Sequence, residues 1–261
     1  MKDSILTYYG FSRMPFGKQI SAQELFHNKG FTEALAMLEF GVAEEDILLL
    51  TGPIGSGKSV VLRASCQSLD TNRFQPVYLR GTGASPSELY KAILRGLKVE
   101  APYSISKAKP LFFSTIEKMN KKPVIFIDDA QDISPEALLS LKAMVNFSQD
   151  SRNRLTFILA GQPELRTTLS FSHFQSVLSR IRLAIDLVPM NVEETCRYID
   201  HGLSIVHRGE KLFSDSAKME IFKRSGGLAR KINTLCYRAI VSGVIGEKQI
   251  IDSQDIPAES L

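Results

Sequence analysis

Residues 52–59 read Gly-Pro-Ile-Gly-Ser-Gly-Lys-Ser, the pattern GxxxxGK followed by Ser or Thr, directly after the apolar run 47–51 and at the head of a helix-like stretch, 58–69. Strand, glycine-rich loop and helix in that order are what a phosphate-binding loop needs. The glycines let the backbone turn tightly enough for successive N–H groups to point at one anion, and the helix N-terminus adds the positive end of its dipole. Gly52, Pro53, Ile54, Gly55, Ser56, Gly57, Lys58, Ser59 and Val60 therefore form a candidate nucleotide-binding set. Lys58 is expected at the β- and γ-phosphates and the Ser59 hydroxyl on Mg2+.

The loop belongs to a repeating pattern. Short apolar, β-branched runs lie at 47–51, 76–79, 124–127, 156–160 and 183–188, and the first four are nearly continuous rather than alternating, as in strands covered on both faces. Helical periodicity falls between and around them, at 58–69, 87–97, 107–120, 134–147 and 171–181. That alternation predicts an α/β fold, a five-stranded parallel sheet flanked by helices. After Pro189 the strand runs stop and helices are expected at 192–207, 214–225 and 229–243, with Asn191 and Ser214 as N-caps and Gly226-Gly227 as a break. The expected division is an N-terminal segment, 1–45, packing on the core, an α/β domain, 46–190, and a small all-helical domain, 191–261.

Two further strand ends carry polar groups where a sheet of this kind gathers its ligands. The run 124–127 ends in Asp128 and Asp129, the Walker B arrangement, in which Asp128 holds Mg2+ directly or through water. Gln162 follows the fourth strand and can orient a water or sense the γ-phosphate; a turn residue before Pro163 is the plainer reading. Arg180 and Arg182 flank Ile181, and either is a candidate arginine finger for a neighbouring subunit's nucleotide.

The composition fits a folded, membrane-free domain: 44% of the 261 residues are hydrophobic and 23% charged, which excludes wholesale disorder or a coiled-coil rod. Cys66, Cys196 and Cys236 lie far apart without zinc-ligand spacing, and no apolar run approaches a membrane span, so a reducing cytoplasmic setting is expected. The net charge of +4 permits an acidic partner. Lys107, Lys109, Lys118, Lys121 and Lys122 stand against Glu117 alone over 107–122, and Arg152 and Arg154 precede the fourth strand. These could meet DNA phosphates in a salt-sensitive way or form a solvated face.

With these parts assembled the chain resembles the AAA+ ATPases, and within them the ExeA-like and transposition-helper (TniB/TnsC-like) group. The likeness runs through 8–16, the 52–59 loop, Asp-Asp-Ala-Gln at 128–131, Gly-Gln-Pro-Glu-Leu at 161–165, 178–181, 194–199 and Gly-Gly-Leu-Ala-Arg-Lys-Ile-Asn at 226–233. The resemblance implies ATP and Mg2+ as cofactors and a helical lid carrying Arg230 as a γ-phosphate sensor. It also implies Phe16 near the adenine and Arg180 as the likelier finger. Relatives carry glutamate where this chain has Asp129, and the shorter side chain sets its carboxylate back by about 1 Å, so slow hydrolysis is expected.

Family logic leaves the machine open. One reading is an ATP-dependent homo-oligomer, ring or filament, bound to double-stranded DNA, that recruits or activates a transposase. Another is the motor of an ExeA-like secretion-assembly system, and a third is a nucleotide-gated interaction module. Secretion relatives usually continue into a membrane span, and the end of this chain at Leu261 favours the transposition reading.

Overall fold

Residues 2–17, 20–44, 46–146, 154–207 and 211–258 are described by the computed structural model. Five parallel strands form one sheet in the order β2-β3-β4-β1-β5: β1 (Ile47–Thr51), β2 (Phe74–Arg80), β3 (Lys122–Asp128), β4 (Thr156–Gly161) and β5 (Ile181–Asp186). The three inner strands are buried almost end to end, which is why their sequences are continuous apolar runs. β2 departs from that expectation. It is an edge strand with Tyr78 exposed, and Pro76 sits within it, where a missing N–H is tolerated.

Two compact units are defined by their internal packing. The first comprises residues 30–53 and 58–187: the sheet with α2 (Lys29–Glu44) from Gly30 on, α3 (Lys58–Ser68), α4 (Pro86–Gly96), α5 (Ile105–Lys118), α6 (Pro135–Val145), α7 (Pro163–Ser170) and α8 (Gln175–Leu178). Ile47, Leu49, Ile125, Ile127, Phe157 and Leu159 pack with Tyr90, Ile93, Phe112 and Leu141 in its core. The Tyr90 and Phe112 rings meet edge to face at 5.1 Å. α4 opens with a capping box between Ser85 and Glu88, worth about 1 kcal/mol.

The second unit comprises residues 1–29, 54–57 and 188–261, with α1 (Lys2–Tyr9), α9 (Val192–Ser204), α10 (Asp215–Ser225) and α11 (Ala229–Ile245). The expected caps are present: Asn191 accepts from the Glu194 N–H, and Ser214 from that of Ala217. The N-terminal stretch read as a single segment divides at Lys29. Ile5, Tyr9 and Phe11 enter the apolar core of this helical unit, beside Ile199, Phe213 and Ile240. Burial and the neighbouring Tyr8 push the Tyr9 phenol up to about 12, and its hydroxyl donates to the Lys248 carbonyl at 2.9 Å.

The stretch 171–181 is not one helix. A 3-10 turn, Ser172–Phe174, leads into the four-residue α8, and Ile181 already pairs with Ile47 in the sheet, so Arg182 lies within β5 rather than before it. α2 falls within 22–43, which reads as one or two helices in the sequence, whereas among the described helices α1 and α7 have no counterpart in the sequence pattern, the latter starting at Pro163 with Gln162 as its N-cap. The expected end of α6 at Phe147 lies outside the described residues, as does Arg152.

Candidate functional site

In the sheet unit, the ends of β1, β3 and β4 deliver Gly52, Asp128 and Gln162 to the same carboxyl edge, because the three strands run parallel as neighbours in the order β3-β4-β1. Lys58, the first residue of α3, is only 8% exposed. Its ammonium folds back on its own loop and donates to the carbonyls of Gly52 at 2.8 Å and Pro53 at 2.9 Å. A buried cation is tolerable only with such partners, and phosphate oxygens are stronger acceptors than carbonyls. Ser59 is exposed on the first turn of α3, and Ile54 at the loop tip is exposed.

Gly55 has φ +83°, and a Cβ there would lie 2.8 Å from the Arg230 Cβ. The Arg230 N–H, in the first turn of α11, donates to the Gly55 carbonyl at 3.2 Å. Arg230, implied as a sensor, is thereby anchored against Gly55, within the helical unit. Ser56 Oγ is buried with no hydrogen-bond partner among the described residues, and the space beside Gly57 is open. Within the sheet unit, the buried Lys58 ammonium fits a polyphosphate whose oxygens would take over its donors from the Gly52 and Pro53 carbonyls. Phe16 packs its ring against Gly202 of α9.

Asp128 is 5% exposed, and both its oxygens have donors: Oδ1 accepts the Asp129 N–H at 3.1 Å and Oδ2 the Tyr78 hydroxyl at 2.7 Å. Burial, and then the bond to Asp128, push the Tyr78 phenol well above its ordinary value, so it stays protonated and donating. Asp129 is exposed in the left-handed region, φ +53°, which Asp and Asn tolerate better than other side chains. The turn that holds it presses on β2. The Gly81 N–H donates to the Asp128 carbonyl at 2.7 Å, and a Cβ on Gly81 would overlap the Asp129 carbonyl oxygen. Gly81→Ala is expected to cost about 1–3 kcal/mol, read by thermal unfolding, and to slow any turnover by displacing Asp129. A parental melting temperature would show that the turn has slack.

Gln162 is reached through Gln131, whose Oε1 accepts the Gln162 N–H at 3.1 Å and so ties the turn after β3 to the start of α7. Gln131 was visible only as part of a motif, and Tyr78 carried no sequence signal. Arg180 is half-buried and pairs with Asp46 at 3.1 Å; Arg182 is exposed on the edge strand β5. Lys122 leaves the solvated basic face: its ammonium donates to the Val42 and Ala43 carbonyls, at 2.7 and 3.2 Å, and caps the C-terminal turn of α2. No group of His, Cys, Asp and Glu suited to a metal ion occurs among the described residues, and none of their helices is long and apolar enough to cross a membrane.

Residues 42–169 match the family model described as an AAA domain. General secretion pathway protein A of Aeromonas hydrophila is 28% identical over 243 residues, covering 90% of this chain and 44% of its own length, so the chain spans less than half of that relative. Among solved structures, the Aeropyrum pernix ORC2 protein, in its ADPNP-ADP complexes, superposes with a TM-score of 0.71 at 17% identity, over 94% of this chain and 71% of its own. The Drosophila ORC bound to DNA gives 0.66 at 15% identity, over 97% of this chain and 63% of that one. At such identities the structural likeness speaks for the fold. Sheet order and structural likeness agree on the AAA+ P-loop fold, and the match to the AAA domain model falls on the residues 42–169 that carry the 52–59 loop.

Proposed function

We propose that this protein is an ATP-dependent assembly switch: it binds ATP with Mg2+, hydrolyses it slowly, and changes its oligomeric state with the nucleotide. The observation that carries the reading is the buried Lys58 ammonium on the 52–59 loop, held by the Gly52 and Pro53 carbonyls. Lys58 and the loop amides bind phosphate oxygens, Ser59 and Asp128 hold Mg2+, and Asp129 and Gln162 orient a water. Bound Mg2+ supplies charge neutralisation at the phosphates. Arg230 reports the γ-phosphate to the helical unit. Arg180, once drawn from Asp46, or Arg182 serves as the finger between subunits, which links nucleotide state to oligomer state.

Two partner readings have separate support. The relative from Aeromonas hydrophila, matched over 90% of this chain, favours a motor in secretion-system assembly. Because only 44% of that protein is matched, where this chain ends does not count against that role. Charge placement favours a DNA-bound regulator; that its partner is a transposase rests on the sequence resemblance alone. Residues 91–122 hold eight lysines and arginines against two glutamates, a local +6 that exceeds the +4 of the whole chain. Lys91, Arg95 and Lys98 recur at i, i+4 and i+7 along α4 and its end, and the Lys91 ammonium lies 5.3 Å from the ring centre of Tyr103, which is almost fully exposed.

The discriminating experiment is retention of the ATP-loaded protein on duplex DNA at 50 and 200 mM salt, with Lys91→Glu, Arg95→Glu and Lys98→Glu combined as the variant. The DNA reading expects binding that weakens steeply with salt and a salt slope about 3 smaller in the variant. Assembly that proceeds identically with and without DNA supports the secretion reading.

A further inference from the structure

We infer that Tyr78 is a positioning residue for the metal-holding carboxylate of Asp128, an inference that rests on the assignment of Asp128 to Mg2+. No motif contains Tyr78; it comes from the edge strand β2, which pairs with β3 so that Tyr78 stands beside Phe126 and Arg80 beside Asp128. From there the phenol reaches forward to Asp128 Oδ2 at 2.7 Å, while Oδ1 takes the Asp129 N–H at 3.1 Å. One fixed donor on each oxygen holds the carboxylate plane, and each oxygen keeps acceptor capacity for a metal ion or its water.

Without the phenol, Oδ2 of a carboxylate that is 5% exposed loses its side-chain donor, and the group is free to turn about its last torsion. Outer donors of this kind fix metal ligands in place, and their removal typically costs 10–100-fold in metal affinity. The main chain reinforces the arrangement, since the Gly81 N–H donates to the Asp128 carbonyl at 2.7 Å and the Gly83 N–H to that of Asp132 at 3.1 Å. The end of β2 thus grips the Asp128-Asp129 turn by side chain and backbone together. Tyr78→Phe removes only the side-chain grip, leaving a ring of the same size.

The test is Mn2+ binding followed by electron paramagnetic resonance in the presence of a non-hydrolysable ATP analogue, for the parent, Tyr78→Phe and Asp128→Asn. Fluorescent nucleotide binding in EDTA and a thermal melt accompany it. Tyr78→Phe is expected to weaken Mn2+ about tenfold, with metal-free nucleotide affinity within twofold of the parent and a cooperative melt lowered by only a few degrees. Parental Mn2+ affinity in Tyr78→Phe alongside weakened affinity in Asp128→Asn would overturn the role of Tyr78 and leave the metal site standing. Parental affinity in both variants would overturn the metal assignment and the role of Tyr78 with it.

Discussion

Lys58→Ala is expected to lower ATP affinity at least about 100-fold. The ammonium is held in a buried position by the Gly52 and Pro53 carbonyls, so it is already desolvated when phosphate arrives, and two charge-assisted hydrogen bonds of about 1.5 kcal/mol each account for that factor. The variant also leaves both carbonyls without their side-chain donor, so a melt must accompany the binding measurement. Titration with a fluorescent ATP analogue reads the effect. Affinity equal to the parent's in a folded variant would remove the 52–59 loop from the nucleotide site.

Asp129→Asn should reduce the hydrolysis rate by about 10²-fold while leaving ATP affinity within twofold, since a positioned carboxylate that accepts a proton from water contributes factors of this order. The substitution is unusually clean at this position. Asn adopts the left-handed backbone of φ +53° as readily as Asp, so the turn that presents the side chain is preserved and only the carboxylate charge is removed. Asp129→Glu supplies the missing methylene and is expected to raise turnover several-fold, at a small cost for placing a longer side chain in that conformation. Single-turnover measurements with saturating Mg2+ separate the two effects. Undiminished hydrolysis in Asp129→Asn would assign the water to another group, with Gln162 the next candidate on the same sheet edge.

The sheet was legible in the sequence because its central strands are buried on both faces, which makes the runs 47–51, 124–127 and 156–160 apolar except for the buried Thr51 and Thr156 at their ends. The 52–59 loop was legible because its conformation demands particular residues; Gly55 could not carry a side chain with φ +83° and Arg230 pressed against it. What stayed hidden depends on partners far apart in the chain. Nothing near Tyr78 announces that β2 will pair with β3 in the register that brings its hydroxyl to Asp128, 50 residues away. Likewise Lys122 reads as one more lysine of a basic stretch until the C-terminal carbonyls of α2 are seen above it, and Arg180 reads as a free guanidinium until Asp46 is placed beside it. α7 is short, and its Gln-Pro start looks the same as a simple turn. The break at 171–181 follows from the sheet, whose ladder claims Ile181 for β5.

The proposed function gives ATP binding a route to assembly through Arg230, whose N–H bonds to Gly55 of the 52–59 loop, and through Arg180, whose partner Asp46 a neighbouring subunit's nucleotide would replace. Sedimentation of the wild-type protein with Mg2+ and ATP, with Mg2+ and ADP, and without nucleotide tests this most directly, with Lys58→Ala as the control. The account predicts a larger species with ATP alone and none in the variant. One unchanging mass in all three states, or assembly that persists in Lys58→Ala, would contradict it.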